Sequence, residues 1–165
     1  MKYAGINYND FAAAPGVSVT FFAQGCPHRC KGCHNPQSWD FDGGKEFTQD
    51  TLFELNKNLD ANGIKRNFCI MGGEPLCEEN LWLTSFLVDH VKNYHPETPI
   101  YVWTGYTIEQ LLENKNNSII HILSSIDFLI DGPFIQELKD TTLSMRGSSN
   151  QRIINLKNKE FYDII

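Results

Sequence analysis

Apolar residues recur along the chain in short, β-branched runs separated by longer amphipathic stretches. Val17 to Phe22 has the composition of a strand, introduced by the turn pair Pro15-Gly16. Phe68 to Met71 predicts a second strand, Ile100 to Trp103 a third and Asp127 to Ile130 a fourth. Ile153 and Ile154 mark a short fifth. Between these runs the period lengthens to that of a helix. Thr48 has the chemistry of an N-cap ahead of Leu52, Leu55 and Leu59, which share one face of a helix ending near Gly63. A second helix is predicted from Glu79 to Tyr94, with Leu87, Val91 and Tyr94 turned inward and Pro96 as its stop, and a third from about Ile108. Strands alternating with helices predict the α/β class, a mostly parallel sheet with helical crossovers. No repeat, low-complexity tract or linker interrupts the chain, so one domain over residues 1–165 is expected.

The glycine-rich breaks fall directly after strands: Gly72-Gly73-Glu74-Pro75, Thr104-Gly105-Tyr106 and Asp131-Gly132-Pro133. Sheets with helical crossovers place ligands at the carboxyl ends of their strands. The loop after the first predicted strand shares that rim, and it carries Cys26, Cys30 and Cys33 in the spacing Cys-x3-Cys-x2-Cys. Thiolates select zinc, copper(I) or iron–sulfur clusters. Pro27 and Gly32 kink the loop so that three thiolates can face inward, and Arg29 and Lys31 are expected to lower their pKa. An iron–sulfur cube held by four thiolates is closed, whereas one held by three leaves an iron free for a small molecule. The competing reading is a structural zinc with His34 as fourth ligand, which requires the neighbours Cys33 and His34 to face one ion.

Composition narrows the class. A chain of 165 residues with 41% hydrophobic and 21% charged residues suits a globular domain, and a formal charge of −6 disfavours nucleic acid. No apolar run is long enough to span a bilayer and the N-terminus lacks a signal-type core, so a cytoplasmic protein without a membrane partner is expected. Five cysteines, three within eight positions, fit metal-bound thiolates better than a disulfide framework. Cys69 is expected as a small buried hydrophobe and Cys77 as a non-ligand. His28, His90, His95 and His121 form no constellation and read as surface or packing residues. Trp103 is open to two readings, a wall for a ligand ring or a core side chain. Asp131 is either a ligand contact or the cap of a buried turn, and Arg146 either a carboxylate clamp, a partner contact or part of a solvated loop.

The cysteine spacing resembles that of the radical S-adenosylmethionine superfamily, and Gly72-Gly73-Glu74-Pro75 resembles its second motif. Asn35-Pro36 with Trp39, the stretch Val102 to Tyr106, Ile130-Asp131-Gly132 and Arg146 to Gln151 narrow the likeness. In that order they are similar to the activating proteins of anaerobic ribonucleoside-triphosphate reductase, a family of glycyl radical enzyme activases, over nearly the whole chain. The resemblance implies a single-domain, incomplete TIM-type barrel open on one side. It implies a [4Fe-4S] cluster on Cys26, Cys30 and Cys33, with S-adenosylmethionine on the open iron and in contact with Gly32, Cys33, His34, Gly73 and Glu74. No catalytic side chain is implied beyond the cluster ligands. The implied partners are the glycyl radical subunit of the reductase and a reduced electron donor such as flavodoxin. Alternatives are an activase of the pyruvate formate-lyase type, a small-molecule radical enzyme, and an iron–sulfur or zinc binding module without turnover.

Overall fold

The computed structural model describes residues 1–157, so the last eight positions of the expected domain lie outside the described residues. In chain order the elements are β1 (Lys2–Asp10), β2 (Val17–Ala23), β3 (Lys45–Glu46), α1 (Gln49–Leu59), β4 (Arg66–Gly72), α2 (Glu78–Tyr94), β5 (Ile100–Trp103), α3 (Ile108–Glu113), α4 (Asn117–Ser125), β6 (Phe128–Asp131) and β7 (Arg152–Asn155). The seven strands form one sheet in the order β3-β1-β2-β4-β5-β6-β7. Its middle, β2-β4-β5-β6, is parallel, while β1 and β3 on one side and β7 on the other run antiparallel to their neighbours.

This sheet does not close. A TIM-type barrel requires parallel neighbours all the way round, joined by helical crossovers. Here β1 returns directly into β2 as an antiparallel pair, and β7 folds back along β6. The expected parallel sheet is therefore present only as a four-strand centre with antiparallel margins. β1 escaped the hydrophobic pattern because Asn7, Asn9, Asp10 and Gly5 are poor strand formers. The cysteine loop accordingly follows the second strand in the chain, although that strand is the first of the parallel set.

Alternation along the central strands separates two faces. Val19, Phe21, Phe68, Ile70, Ile100, Val102 and Leu129 join the core that packs against the helices. Cys69, Tyr101 and Ile130 point to the other face, where Ala13, Ala14 and the partly buried Met71, Trp103 and Met145 cover them.

Thr48 caps α1 as expected, its hydroxyl accepting from the Thr51 amide at 3.3 Å, and Leu55 and Leu59 are buried. In α2, Leu87 and Val91 are buried but Tyr94 is 71% exposed, contrary to expectation. The inward stripe runs through Leu87, Val88 and Val91 to the cap residue His95, which is buried and bonds Asp60 and Asn56. The helix predicted from Ile108 is two helices. Lys115 takes a left-handed conformation (φ 52°), and Asn116 restarts the chain by accepting from the amides of Ser118 and Ile119.

Candidate iron–sulfur site

The site is assembled at the carboxyl ends of the parallel strands, where backbone rather than side chains makes the first joins. Beyond β4, the Gly73 amide donates to the Ala23 carbonyl at 2.9 Å and the Glu74 amide to the Gly25 carbonyl at 2.8 Å. These bonds bring the two segments so close that a Cβ on Gly73 would lie 2.3 Å from the Gly25 oxygen. The glycine is therefore required by proximity. Asn80, buried in the first turn of α2, clasps the join from beneath. Its amide nitrogen donates to the carbonyls of Gln24, Gly25 and Glu74 at 3.0, 3.3 and 2.9 Å. Gln24 in turn donates to the Asp40 carbonyl at 2.6 Å, holding the chain that returns after the cysteine loop.

Cys26, Cys30 and Cys33 line one cavity of about 130 Å³ together with Gly73 and Glu74. Trp103 and Thr104 at the end of β5, and Gly132, Phe134 and Gln151 beyond β6, complete its wall. Gly32 and His34, both exposed, lie outside that lining. Cys26 is buried, and burial pushes its thiol pKa up, with backbone hydrogen bonds from His28 and Arg29 opposing the shift. The basic side chains of the loop thus do not lower this thiol as expected; Lys31 instead pairs at 3.7 Å with the exposed Glu137. Cys69 and Cys77 are driven by burial to about 12. Both are neutral thiols, and the Cys77 thiol donates to the Glu74 carbonyl at 3.1 Å.

Glu74 is 1% exposed and fully engaged by protein donors. One oxygen accepts from the Leu76 amide at 2.9 Å and the Thr104 hydroxyl at 2.8 Å. The other accepts from the Gly105 amide at 2.7 Å and His28 Nε2 at 2.8 Å. Its side chain is a hub that joins the cysteine loop, β4 and β5. His28 therefore belongs to the site, contrary to its reading as a surface or packing residue.

The polar stretch after Met145 is likewise not a solvated loop. Gln151 accepts from the amides of Gly147 and Ser148 and donates to the Gly132 carbonyl, and Ser148 is fully buried. Arg146 donates to the Gln151 carbonyl at 3.3 Å and does not line the cavity. Trp103 both lines the cavity and donates to the Met145 carbonyl at 2.8 Å. Asp131 is wholly buried, accepting from the Ile108 amide and from Arg152. Asn80 and Gln24 had no sequence signal of their own, being ordinary polar residues placed at the site by what lies opposite them.

The donor set fits a cluster. Three thiols line the one cavity, and among the described residues no three His, Cys, Asp or Glu side chains gather round a single ion position. Tetrahedral zinc needs four donors on one point, whereas each iron of a cube takes its own thiolate. His34, the fourth ligand that zinc would need, stands outside the cavity.

Comparison with known proteins agrees with this chemistry. Residues 12–154 match the family described as 4Fe-4S single cluster domain. The chain is 39% identical over 145 residues to the anaerobic ribonucleoside-triphosphate reductase-activating protein of Vibrio cholerae serotype O1, covering 87% of this chain and 91% of the relative. It is 36% identical over 149 residues to the protein of that name from Escherichia coli K12, covering 90% and 94%. It is 37% identical over 153 residues to that of Enterobacteria phage T4, covering 93% of each. With three thiols on one cavity and likeness along almost its full length, the chain belongs to the family of anaerobic ribonucleoside-triphosphate reductase-activating proteins, built on a 4Fe-4S single cluster domain.

Proposed function

We propose that this protein installs a glycyl radical on anaerobic ribonucleoside-triphosphate reductase, using a [4Fe-4S] cluster and S-adenosylmethionine. The observation that carries this reading is the convergence of Cys26, Cys30 and Cys33 with the Gly73-Glu74 backbone on one cavity. When bound, the cluster would supply one-electron reduction of the sulfonium, fed by a reduced donor of the flavodoxin type, for removal of a hydrogen atom from a glycine Cα of the reductase, with methionine and 5′-deoxyadenosine as products.

The chain's own residues bind and orient. Cys26, Cys30 and Cys33 would hold the cluster through three thiolates, one short of a closed set of four. Cys33 and Gly73, on the cavity wall, would contact the cosubstrate, as would Gly32 and His34 of the same loop, which lie outside the lining. Glu74 contributes through its backbone, because its carboxylate is already saturated by four protein donors. No side chain is needed as an acid or base. We read β2, β4, β5 and β6 as the parallel part of an incomplete TIM-type barrel within one domain, whose open side admits a loop of the partner. Among the described residues no helix is long and apolar enough to cross a membrane, and oxygen-sensitive, thiolate-bound iron suits the cytoplasm.

The test is anaerobic reconstitution with iron and sulfide, followed by reduction and addition of S-adenosylmethionine and purified apo-reductase. The expected result is 5′-deoxyadenosine together with a glycine-centred radical signal on the reductase. A lone zinc ion, or no 5′-deoxyadenosine, would refute the reading. A radical formed only on a pyruvate formate-lyase type partner would refute the choice of substrate.

A further inference from the structure

Between Cys26 and Cys30 the chain has few ties to the rest of the molecule. Gly25 and Cys26 are fastened by their amides to Ser38 and Trp39, and the Cys33 amide donates within the loop to the Cys30 carbonyl. Arg29 occupies the left-handed region (φ 48°), so the loop turns sharply between two of its thiols. Lys31 reaches only an exposed carboxylate, a pairing of little energetic weight. Among the described residues, His28 supplies the one partly shielded side-chain tether of this segment, with 19% exposure of its side chain.

That tether ends on the hub. A carboxylate only accepts, so Nε2 of His28 donates to Glu74 Oε2 across 2.8 Å. The same oxygen accepts from the Gly105 amide, so the two donors share one acceptor. The imidazole is also shaped into place. Tyr106 meets it edge-on with ring centroids 4.4 Å apart, and a Cβ on Gly105 would fall 2.5 Å from its Cδ2. Gly105 is thus kept bare by the imidazole packed against it.

We infer that His28 is a positioning residue, which sets the cluster loop against the Glu74 hub and so fixes the three thiols relative to the ends of β4 and β5. The inference rests on the proposed cluster chemistry. It adds that, besides the backbone joins at Gly25, this bond is the side-chain tie that sets the loop between Cys26 and Cys30 against the hub. Gln at position 28 can present an amide donor to the same oxygen, whereas Ala cannot.

The test compares H28A and H28Q with the parent protein. In the apo forms, amide hydrogen exchange reads the loop directly. H28A is expected to speed exchange across residues 26–34 and at Gly105 by about tenfold, the equivalent of one charge-assisted hydrogen bond, while β1 is unchanged. H28Q is expected to stay within about twofold of the parent. After anaerobic reconstitution, H28A is expected to bind S-adenosylmethionine about tenfold more weakly at equal iron and sulfide content, with H28Q restoring affinity. Loss of iron uptake in H28A, with parental β1 exchange and recovery in H28Q, supports the same tether acting on the thiols themselves. Parental exchange in H28A, or equal damage in H28A and H28Q, would overturn the inference. Failure of the parent protein to take up a cluster would instead strike the proposed function and leave the apo exchange result standing.

Discussion

Replacing Gly73 by Ala tests whether the join between β2 and β4 is as tight as its geometry requires. Gly73 does not have a positive φ, so Ala there brings no left-handed strain and the cost is contact alone. Its Cβ would lie 2.3 Å from the Gly25 oxygen and 2.9 Å from the Gly25 carbonyl carbon, both backbone atoms that cannot rotate away. Restoring even a tight contact of about 3.0 Å parts the segments by about 0.7 Å. That displacement carries the 2.8 Å bond from the Glu74 amide to the Gly25 carbonyl out to about 3.5 Å, the limit of a hydrogen bond. The Gly73 amide bond to Ala23 is strained with it. Two weakened and partly buried backbone bonds cost roughly 2–4 kcal/mol, which corresponds to roughly 5–15 °C in Tm for a chain of this size. Gly5→Ala is the matched control, since nothing lies within 4 Å of its Cβ position and its φ is unexceptional. Thermal unfolding of both apo variants by circular dichroism, with iron content after reconstitution, reads the difference. Equal melting temperatures for G73A and G5A would refute the steric account of the motif.

Cys30→Ala is expected to abolish cluster uptake while leaving apo stability within about 0.5 kcal/mol, because Cys30 is only half-buried; iron and sulfide analysis beside a melting curve checks both halves. Arg152→Ala strands the carboxylate of Asp131, which is wholly buried, and is expected to cost about 2–4 kcal/mol in denaturant unfolding. Glu109, held at about 2 by hydrogen bonds from Arg152, has a depressed folded pKa. Its contribution to stability is therefore present above the ordinary carboxylate range and lost as pH falls toward 2, and Glu109→Gln is expected to remove that part of the acid slope. Alkylation of the native apo protein at pH 8 is expected to label Cys30 and Cys33 but to spare Cys69 and Cys77, whose thiols burial holds protonated; peptide mapping reads the pattern, and labelling of Cys69 before unfolding would contradict it.

The central strands were legible because burial on both faces demands continuous apolar runs, and Phe68 to Met71 and Ile100 to Trp103 are such runs. β1 was illegible for the converse reason. Paired on one side with only the two-residue β3, it carries Asn and Asp at positions where a central strand carries Val or Ile. The antiparallel pairing at that same margin was equally illegible, since the order of strands at an edge depends on pairings that hydrophobic period does not encode. The split between α3 and α4 was written in Asn116, but a cap is conspicuous only when the helix before it has visibly ended.

The site was legible where one residue type admits few uses. Three cysteines in eight positions, or two glycines after a strand, restrict the chemistry before any coordinate is known. The rest of the site depends on bonds between residues far apart in the chain. His28 meets Glu74 across 46 positions and Asn80 meets Gln24 across 56. Neither His nor Asn is unusual in composition, so a local window holds no trace of either contact. Asn80 is needed by three backbone carbonyls, whereas what makes His28 necessary is the saturation of the Glu74 carboxylate. A buried carboxylate must find donors from every segment around it, and the segments within reach are the cluster loop and the ends of β4 and β5. Glu74, expected at the ligand from the glycine motif, also organises the rim. The same four bonds that occupy its carboxylate tie the cysteine loop, the turn after β4 and the end of β5 together.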